Sequence, residues 1–459
     1  MQKTYVLDTN VLIQAPYALQ SFEDNHIVLP LAVLEELDNL KTAEGEWGAN
    51  ARQAIRFLES LRQTGSLLSG VALPSGGSLR LELNCVNTEL PPGLPEHKND
   101  NRILRVCQAL KNQAGEGDRV VLVTKDIVVR IKAQMMGIEA EDFITEQAPV
   151  RQEQYTGRCE VFVPEAKFEN FKKKHLTQED VYQVDENGEK IPVELVMNQF
   201  VVLKADESRK KTQLGRFNGT YILPLLYKKK RPYGVAPRNV GQYFLQEALM
   251  LDASEAPLVI VKGMAGTAKT FYTLAVGLHA MMEQEEPTYR KILISRPNAQ
   301  FDDEIGFLPG NEGEKIAPLL RPAIDNLELL VDQNEKERYA DERSLSDKVE
   351  ELFDRGIVSA QALNFIRGRS VVKTYLVIDE AQNLTPKQAK GIITRAGKDT
   401  KIILLGDPGQ IDHPLLDERT NGLSYASEKM KGSPLCCQIT LTAGECERSA
   451  LAMDAIQRM

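Results

Sequence analysis

The sequence predicts an α/β protein: two regions of alternating strands and helices, each on a mostly parallel sheet, joined by a small β-rich segment. Over residues 1–147, and again over 236–459, short apolar runs alternate with stretches whose apolar residues recur at helical spacing. Over 148–235 that spacing gives way to short strand-like runs broken by turn signals such as "DENGEK" and "RFNGT". Strand–helix alternation needs crossover connections, which lay parallel strands beneath helices on both faces.

In the first region "TYVLD", "HIVLP" and "RVVLVT" read as strands. "LAVLEELDNLK", "ANARQAIRFLESLRQ" and "NRILRVCQALKNQ" read as amphipathic helices. The connector offers "GRCEVFVPE", "GEKIPVELV" and "QFVVLKADE" as strands and ends in the basic loop "YKKKRPYG". The last region offers "PLVIVKG", "YRKILIS", "TYLVIDE", "TKIILLGD" and "CQITL" as buried strands.

Composition narrows the function classes. The chain has 459 residues and a net charge of −9, so it is not a basic nucleic-acid coat. Polyanion contact would fall to local clusters: "FKKKH" (171–175), "SRKK" (208–211) and "YKKKRPYG" (227–234). The six cysteines are scattered except for adjacent Cys436 and Cys437, and neither they nor the five histidines show metal-ligand spacing. No apolar run reaches the roughly 18–20 residues of a membrane span, and the N-terminus lacks a signal-peptide layout. A reduced, cytoplasmic protein without membrane contact is the expectation.

One constellation lies in "VIVKGMAGTAKTFYTLAVG" (259–277). Gly263, Lys269 and Thr270 keep the register of G-x-x-x-x-G-K-[ST], with Met264, Ala265, Gly266 and Thr267 between them and Ala268 in place of the second glycine. A buried strand runs into this loop and a helix comes after it, the order that aims backbone N–H groups at phosphates. Lys269 would bridge β- and γ-oxygens of ATP, and the Thr270 hydroxyl would bind Mg²⁺. The Ala268 methyl would crowd a loop in which glycine moves freely. Alanine also precedes the lysine in some ring ATPases such as the MCM helicases, so the site is expected to work with altered affinity. Two further strands end in "DE" and "GDPGQ". Asp379 would hold Mg²⁺, Glu380 would position the attacking water, and Asp407 and Gln410 would sense the γ-phosphate.

The second constellation is acidic. Asp8, with Asn10, ends the first strand; Glu36 lies on the helix after the second; Asp100 opens a later helix; Thr124 and Asp126 come just after another strand. Singly, each carboxylate also fits a solvated surface, and Asp100 would serve as a helix cap. Together, three of the four lie at one edge of a parallel sheet. Converging carboxylates repel unless a cation neutralises them, and oxygen-only ligands favour Mg²⁺ or Mn²⁺, which activate water for phosphodiester cleavage.

The phrases "IGFLPGNEGEKIAPLLRPAIDNL", "GRSVVKTYLVIDEAQNLTPKQAKGIITRAG" and "LLGDPGQID" resemble the PhoH-type ATPases, over about residues 236–459. That resemblance implies a P-loop NTPase core of RecA-like type related to superfamily 1 helicases, RNA-linked ATP hydrolysis, and homo-oligomeric rings with the hexamer favoured. It makes Arg296, Arg395 and Arg448 candidates for stabilising γ-phosphate charge, and Gln242, with Gln246 nearby, resembles an adenine-reading glutamine. "LDTN", "LEELDNLK", "NDNRIL" and "TKD" resemble PIN-domain nucleases over about residues 3–145, matching Asp8, Glu36, Asp100 and Asp126 to an acidic quartet with Asn10 and Thr124 in support. In this order the two domains resemble PIN–PhoH proteins. The resemblance implies an ATP-driven helicase or translocase on single-stranded RNA, coupled to a metal-dependent endoribonuclease. The connector's basic patch is a candidate strand-guiding surface on a separate ground, that Lys and Arg contact phosphates whatever the sequence. Three rivals stand beside it: a nucleotide-switched RNA-binding protein with a silent nuclease site, a DNA-directed nuclease–ATPase, and a scaffold that uses ATP only to assemble.

Overall fold

The computed structural model describes residues 3–446 apart from 23, 44, 74–75, 116–117, 144–147, 150–152, 186, 207–210, 298–311, 335–341, 367–370 and 414–415. The candidate Arg448 and most of the "SRKK" cluster therefore lie outside the described residues. The chain divides into two units, one on residues 1–145 and the other on 146–300 and 305–459.

The first unit holds one six-stranded sheet: β1 (Lys3–Leu7), β2 (His26–Pro30), β3 (Val71–Ala72), β4 (Ser78–Glu82), β5 (Arg119–Val123) and β6 (Glu139–Glu141), in the order β3-β4-β2-β1-β5-β6. All pairings are parallel except β3 with β4. β1, β2 and β5 are neighbours, so their C-terminal ends share one edge. The three predicted helices form at Leu31–Leu40, Gly45–Arg62 and Asn99–Gln113. They cover the sheet with an aliphatic core that includes Leu7, Leu29, Leu37, Leu104 and Leu122.

The second unit holds two sheets. The β-rich segment forms β7 (Arg158–Val163), β8 (Tyr182–Val184), β9 (Lys190–Pro192), β10 (Phe200–Ala205), β11 (Thr212–Phe217) and β12 (Ile222–Pro224). Their order is β12-β11-β10-β7-β8-β9, antiparallel except for β10 with β7. Its Phe200 stacks on Phe244 of helix Val240–Met250 at 4.9 Å between ring centres, so this sheet shares a core with the strand and helix on either side of the 263–268 loop.

The third sheet is wholly parallel: β13 (Leu258–Gly263), β14 (Lys291–Ser295), β15 (Val358–Ala360), β16 (Thr374–Ile378), β17 (Lys401–Gly406) and β18 (Cys436–Leu441), in the order β15-β14-β16-β17-β13-β18. Alternate residues feed opposite cores: Val259, Val261, Val377 and Ile403 on one face, Ile260, Leu376, Ile378 and Leu404 on the other. Among the described residues no helix is long and apolar enough to cross a membrane.

Two lysines sit inside this apolar unit. Lys401 Nζ donates to the Leu251 carbonyl at 2.5 Å and Lys262 Nζ to the Tyr155 carbonyl at 2.8 Å. Burial pulls both ammonium pKa values down to about 8. The unfolded chain, with a lysine pKa of about 10.4, then binds more protons between the two values, so this contribution to stability rises with pH from about 8 to 10. We expect the stability of the parent minus that of Lys401→Met, read from urea unfolding, to grow by about 2 to 3 kcal/mol between roughly pH 7 and 10. A difference independent of pH would contradict a buried, partly neutralised lysine.

Candidate functional site

The candidate phosphate-binding loop begins where β13 ends. Gly263 stands beneath Leu441 of β18, and a Cβ there would meet the Leu441 Cβ at 2.9 Å. The loop turns through Gly266 at φ +86° and Ala268 at φ +61°, and Ala268 is the N-cap of helix Lys269–Leu278. The alanine thus occupies the left-handed conformation for which the motif carries glycine, at a cost on the order of 1 kcal/mol. Inside the loop the Thr267 hydroxyl donates to the Met264 carbonyl at 2.7 Å. Lys269 Nζ folds back onto the carbonyls of Gly263 and Met264, at 2.6 and 3.0 Å.

β17 lies between β13 and β16, so Asp379 at the end of β16 faces the loop across one intervening strand. The Thr270 hydroxyl bridges that gap to both Asp379 oxygens at 3.3 Å. Burial, then the neighbouring Glu380 charge, raises the Asp379 pKa, and Arg296 opposes the rise. Glu380, at φ +54°, takes an ion pair from Arg296 at 3.1 Å. Arg296 therefore reaches the site from the same chain. Arg395 is exposed at the end of helix Pro386–Ile393.

Sequence reasoning missed Gln382. This fully buried amide donates to Glu380 Oε2 at 2.5 Å and to the Gln410 carbonyl at 2.7 Å, and accepts from the Asp407 N–H at 3.1 Å. Gly406 makes the room, since a Cβ there would meet Gln382 Oε1 at 2.3 Å. Asn383 accepts from the N–H groups of Asp412 and His413 at 2.8 and 3.2 Å. The two amides after "DEA" thus hold the 407–413 loop against Glu380. The only signal in the sequence was a pair of amides directly after a buried strand. The Asp407 carboxylate caps its own turn, accepting from Gly409 N–H at 3.0 Å, while the Gln410 side chain is exposed. Gln242 is buried and accepts from the Arg238 N–H at 2.8 Å; Gln246 holds the backbone of the 227–230 loop.

In the first unit Asp8 is buried at the end of β1. It accepts from Thr124 Oγ1 at 2.5 Å, Asn10 Nδ2 at 2.8 Å and its neighbour Thr9 N–H at 2.6 Å. Burial pushes its pKa up to about 6, the charges of Glu36 and Asp100 add to the rise, and the Thr124 and Thr9 hydrogen bonds oppose it. Glu36 is held by the Thr9 hydroxyl and by Asn99 Nδ2 at 2.8 Å. Glu35 points elsewhere, onto Arg102 at 2.6 Å. Asp100 is not the cap of its helix: it lies in the first turn and pairs with Lys132 at 3.2 Å. Asp126 is the cap, accepting from Val128 and Val129 N–H at 2.7 and 3.3 Å at the start of helix Ile127–Met135. Asp8, Glu36 and Asp100 thus share one electrostatic field and suit a hard divalent cation in charge and donor type. Among the described residues, though, no three acidic, histidine or cysteine side chains are gathered as a ligand cluster.

Residues 234–459 match the family described as PhoH-like protein, and residues 5–144 match the PIN domain. Protein PhoH2 of Bacillus subtilis (strain 168) is 38% identical over 461 residues, which is 99% of this chain and 99% of the relative. The chain belongs to the PIN–PhoH family. Proteins named PhoH2 from Thermobispora bispora and Mycolicibacterium smegmatis are each 32% identical over 98% of this chain and 95% of their own length. The PIN domain carries the acidic site, and the PhoH domain the P-loop.

The PhoH-domain loop makes a direct prediction. Ala268→Gly relieves the left-handed strain and should raise stability by up to about 1 kcal/mol while leaving binding of a non-hydrolysable ATP analogue at least as tight. Weaker binding in the glycine variant would show that the methyl group contributes to the site.

Proposed function

We propose that this PIN–PhoH protein is an ATP-dependent RNA helicase or translocase coupled to a Mg²⁺- or Mn²⁺-dependent endoribonuclease. The link between Thr270 and Asp379 across β17, with Glu380 held beside it, carries this reading. Loop N–H groups and Lys269 bind the phosphates, and Lys269 leaves the Gly263 and Met264 carbonyls to do so. Thr270 and Asp379 would hold Mg²⁺, which would supply charge relief at the phosphates. Glu380 positions the attacking water, Gln382 fixes its carboxylate, and the 407–410 turn senses the γ-phosphate through Gln410. Gln242 reads the adenine. In a homo-oligomeric ring, hexameric by family resemblance, Arg448 or Arg395 of a neighbour meets the γ-phosphate, a position Arg296 does not fill while paired with Glu380.

In the PIN domain Asp8, Glu36 and Asp100 would hold the divalent cation, with Asp126 joining if it leaves its helix cap. When bound, the cation supplies an activated water and charge relief at the scissile phosphate. Thr124 and Asn10 orient Asp8. Six unpaired thiols suit the reducing cytoplasm.

Two observations favour a second reading, a nucleotide-switched RNA-binding protein with a silent nuclease: Asp126 caps a helix and Lys132 pairs with Asp100. Labelled single-stranded RNA and DNA, incubated with Mn²⁺ with and without ATP, separate the two. We expect RNA to be cut by the parent and spared by Asp8→Asn, with ATP turnover intact in that variant. Glu380→Gln should lower ATP turnover on the order of 10²-fold or more. If the parent leaves RNA whole, the silent-nuclease reading replaces this one; preferential cutting of DNA would redirect the assignment to a DNA nuclease.

A further inference from the structure

The loop after β12 carries four consecutive cations, Lys228, Lys229, Lys230 and Arg231, all exposed on a chain whose net charge is −9. A lysine run on a surface ordinarily rides a loose loop. Here the backbone beneath is fixed from inside by two adjacent buried side chains of helix Val240–Met250. The Glu247 carboxylate accepts the N–H groups of Leu226 and Tyr227, one on each oxygen, both at 2.9 Å. Gln246 Nε2 donates to the carbonyls of Tyr227 and Lys230 at 2.7 and 3.0 Å. Burying a carboxylate and an amide is costly without such partners, and here all four bonds shape one surface loop. Beyond the cations Tyr233 takes φ +49°, with its N–H on Glu283 at 3.0 Å.

A half-buried aromatic ring lies beside the first of these cations. Tyr227 begins the loop, and Lys228 Nζ lies 5.6 Å from the centre of the Tyr243 ring. Of the neighbouring acids, Asp252 is exposed and Glu255 is paired with Arg216 at 3.3 Å. Cations interleaved with aromatic faces suit single-stranded nucleic acid, where phosphates meet charge and bases meet rings, better than an acidic peptide. The same helix reaches the nucleotide loop. At its start the Gly241 N–H donates to Glu445 at 2.7 Å, and the next residue, Cys446, places its thiol 3.6 Å from the Ala265 carbonyl.

We propose that residues 227–231 form a preshaped docking edge for the sugar–phosphate backbone of single-stranded RNA, held by Gln246 and Glu247. This rests on the RNA reading of the protein's function and gives it a location. The test is equilibrium binding of a labelled single-stranded oligouridine to the full chain at about 50 to 200 mM salt. The combined variant Lys229→Ala, Lys230→Ala, Arg231→Ala should bind about tenfold or more weakly and lower the salt slope by about two. Gln246→Leu keeps every charge yet frees the loop, so it should weaken binding several-fold where mere electrostatics would leave it unchanged. If the parent binds and the triple variant matches it, RNA docks elsewhere and the inference is overturned. If the parent binds no RNA, the RNA reading fails and takes the inference with it. Binding of polyglutamate in its place, lost in the triple variant, would assign the edge to an acidic protein partner.

Discussion

Parallel pairing brings the C-terminal ends of neighbouring strands to one edge of a sheet, and both candidate sites stand on such edges. In the PhoH domain this constraint acts through a third strand. With β17 between β13 and β16, the Thr270 hydroxyl and the Asp379 carboxylate meet only above the end of β17. At that end Gly406 lacks the Cβ that would collide with Gln382. The space freed is filled by Gln382, which joins Glu380, Asp407 and Gln410 into one hydrogen-bonded unit.

Backbone strain gathers at the same edge. Ala268 and Glu380 both take left-handed conformations that side chains other than glycine rarely adopt. Such residues persist where the surroundings over-determine them, and here those surroundings are a helix start and the Arg296–Glu380–Gln382 contacts. The β-rich segment is tied to this apparatus by Arg158, which pairs with Glu445 at 2.8 Å while its guanidinium lies over Phe244. Glu445 in turn holds Gly241 and Thr442, so β7, the helix carrying the basic loop, and the end of β18 share one carboxylate.

The central strands were legible in the sequence because burial on both faces leaves long apolar runs: β5, β13, β14, β16 and β17 lie within predicted stretches, and β1 starts one residue ahead of its own. Edge strands such as β3, β6, β12 and β15 were not, since two or three residues carry no periodicity. The P-loop and the strand-end acids were legible because their chemistry demands fixed residue types at fixed spacing. What escaped was tertiary. Nothing local says that Gln382 rather than Gln410 turns inward, that Gln246 holds a basic loop, that Lys132 meets Asp100, or that Asp126 and not Asp100 caps a helix. The sequence shows Ala268 as a departure from a motif; its cost emerges only with its φ angle, which lies in the region that favours glycine.

The claim that the Thr270–Asp379–Glu380 assembly is a working motor, and not a nucleotide switch, is tested most directly by steady-state ATP hydrolysis. The assay uses the full chain with Mg²⁺, with and without single-stranded RNA, and Lys269→Ala as the blank. Turnover above the blank that rises with RNA is the predicted result. Turnover no greater than the blank under every condition would contradict it, and would leave the PhoH domain as a nucleotide-binding element beside the PIN domain.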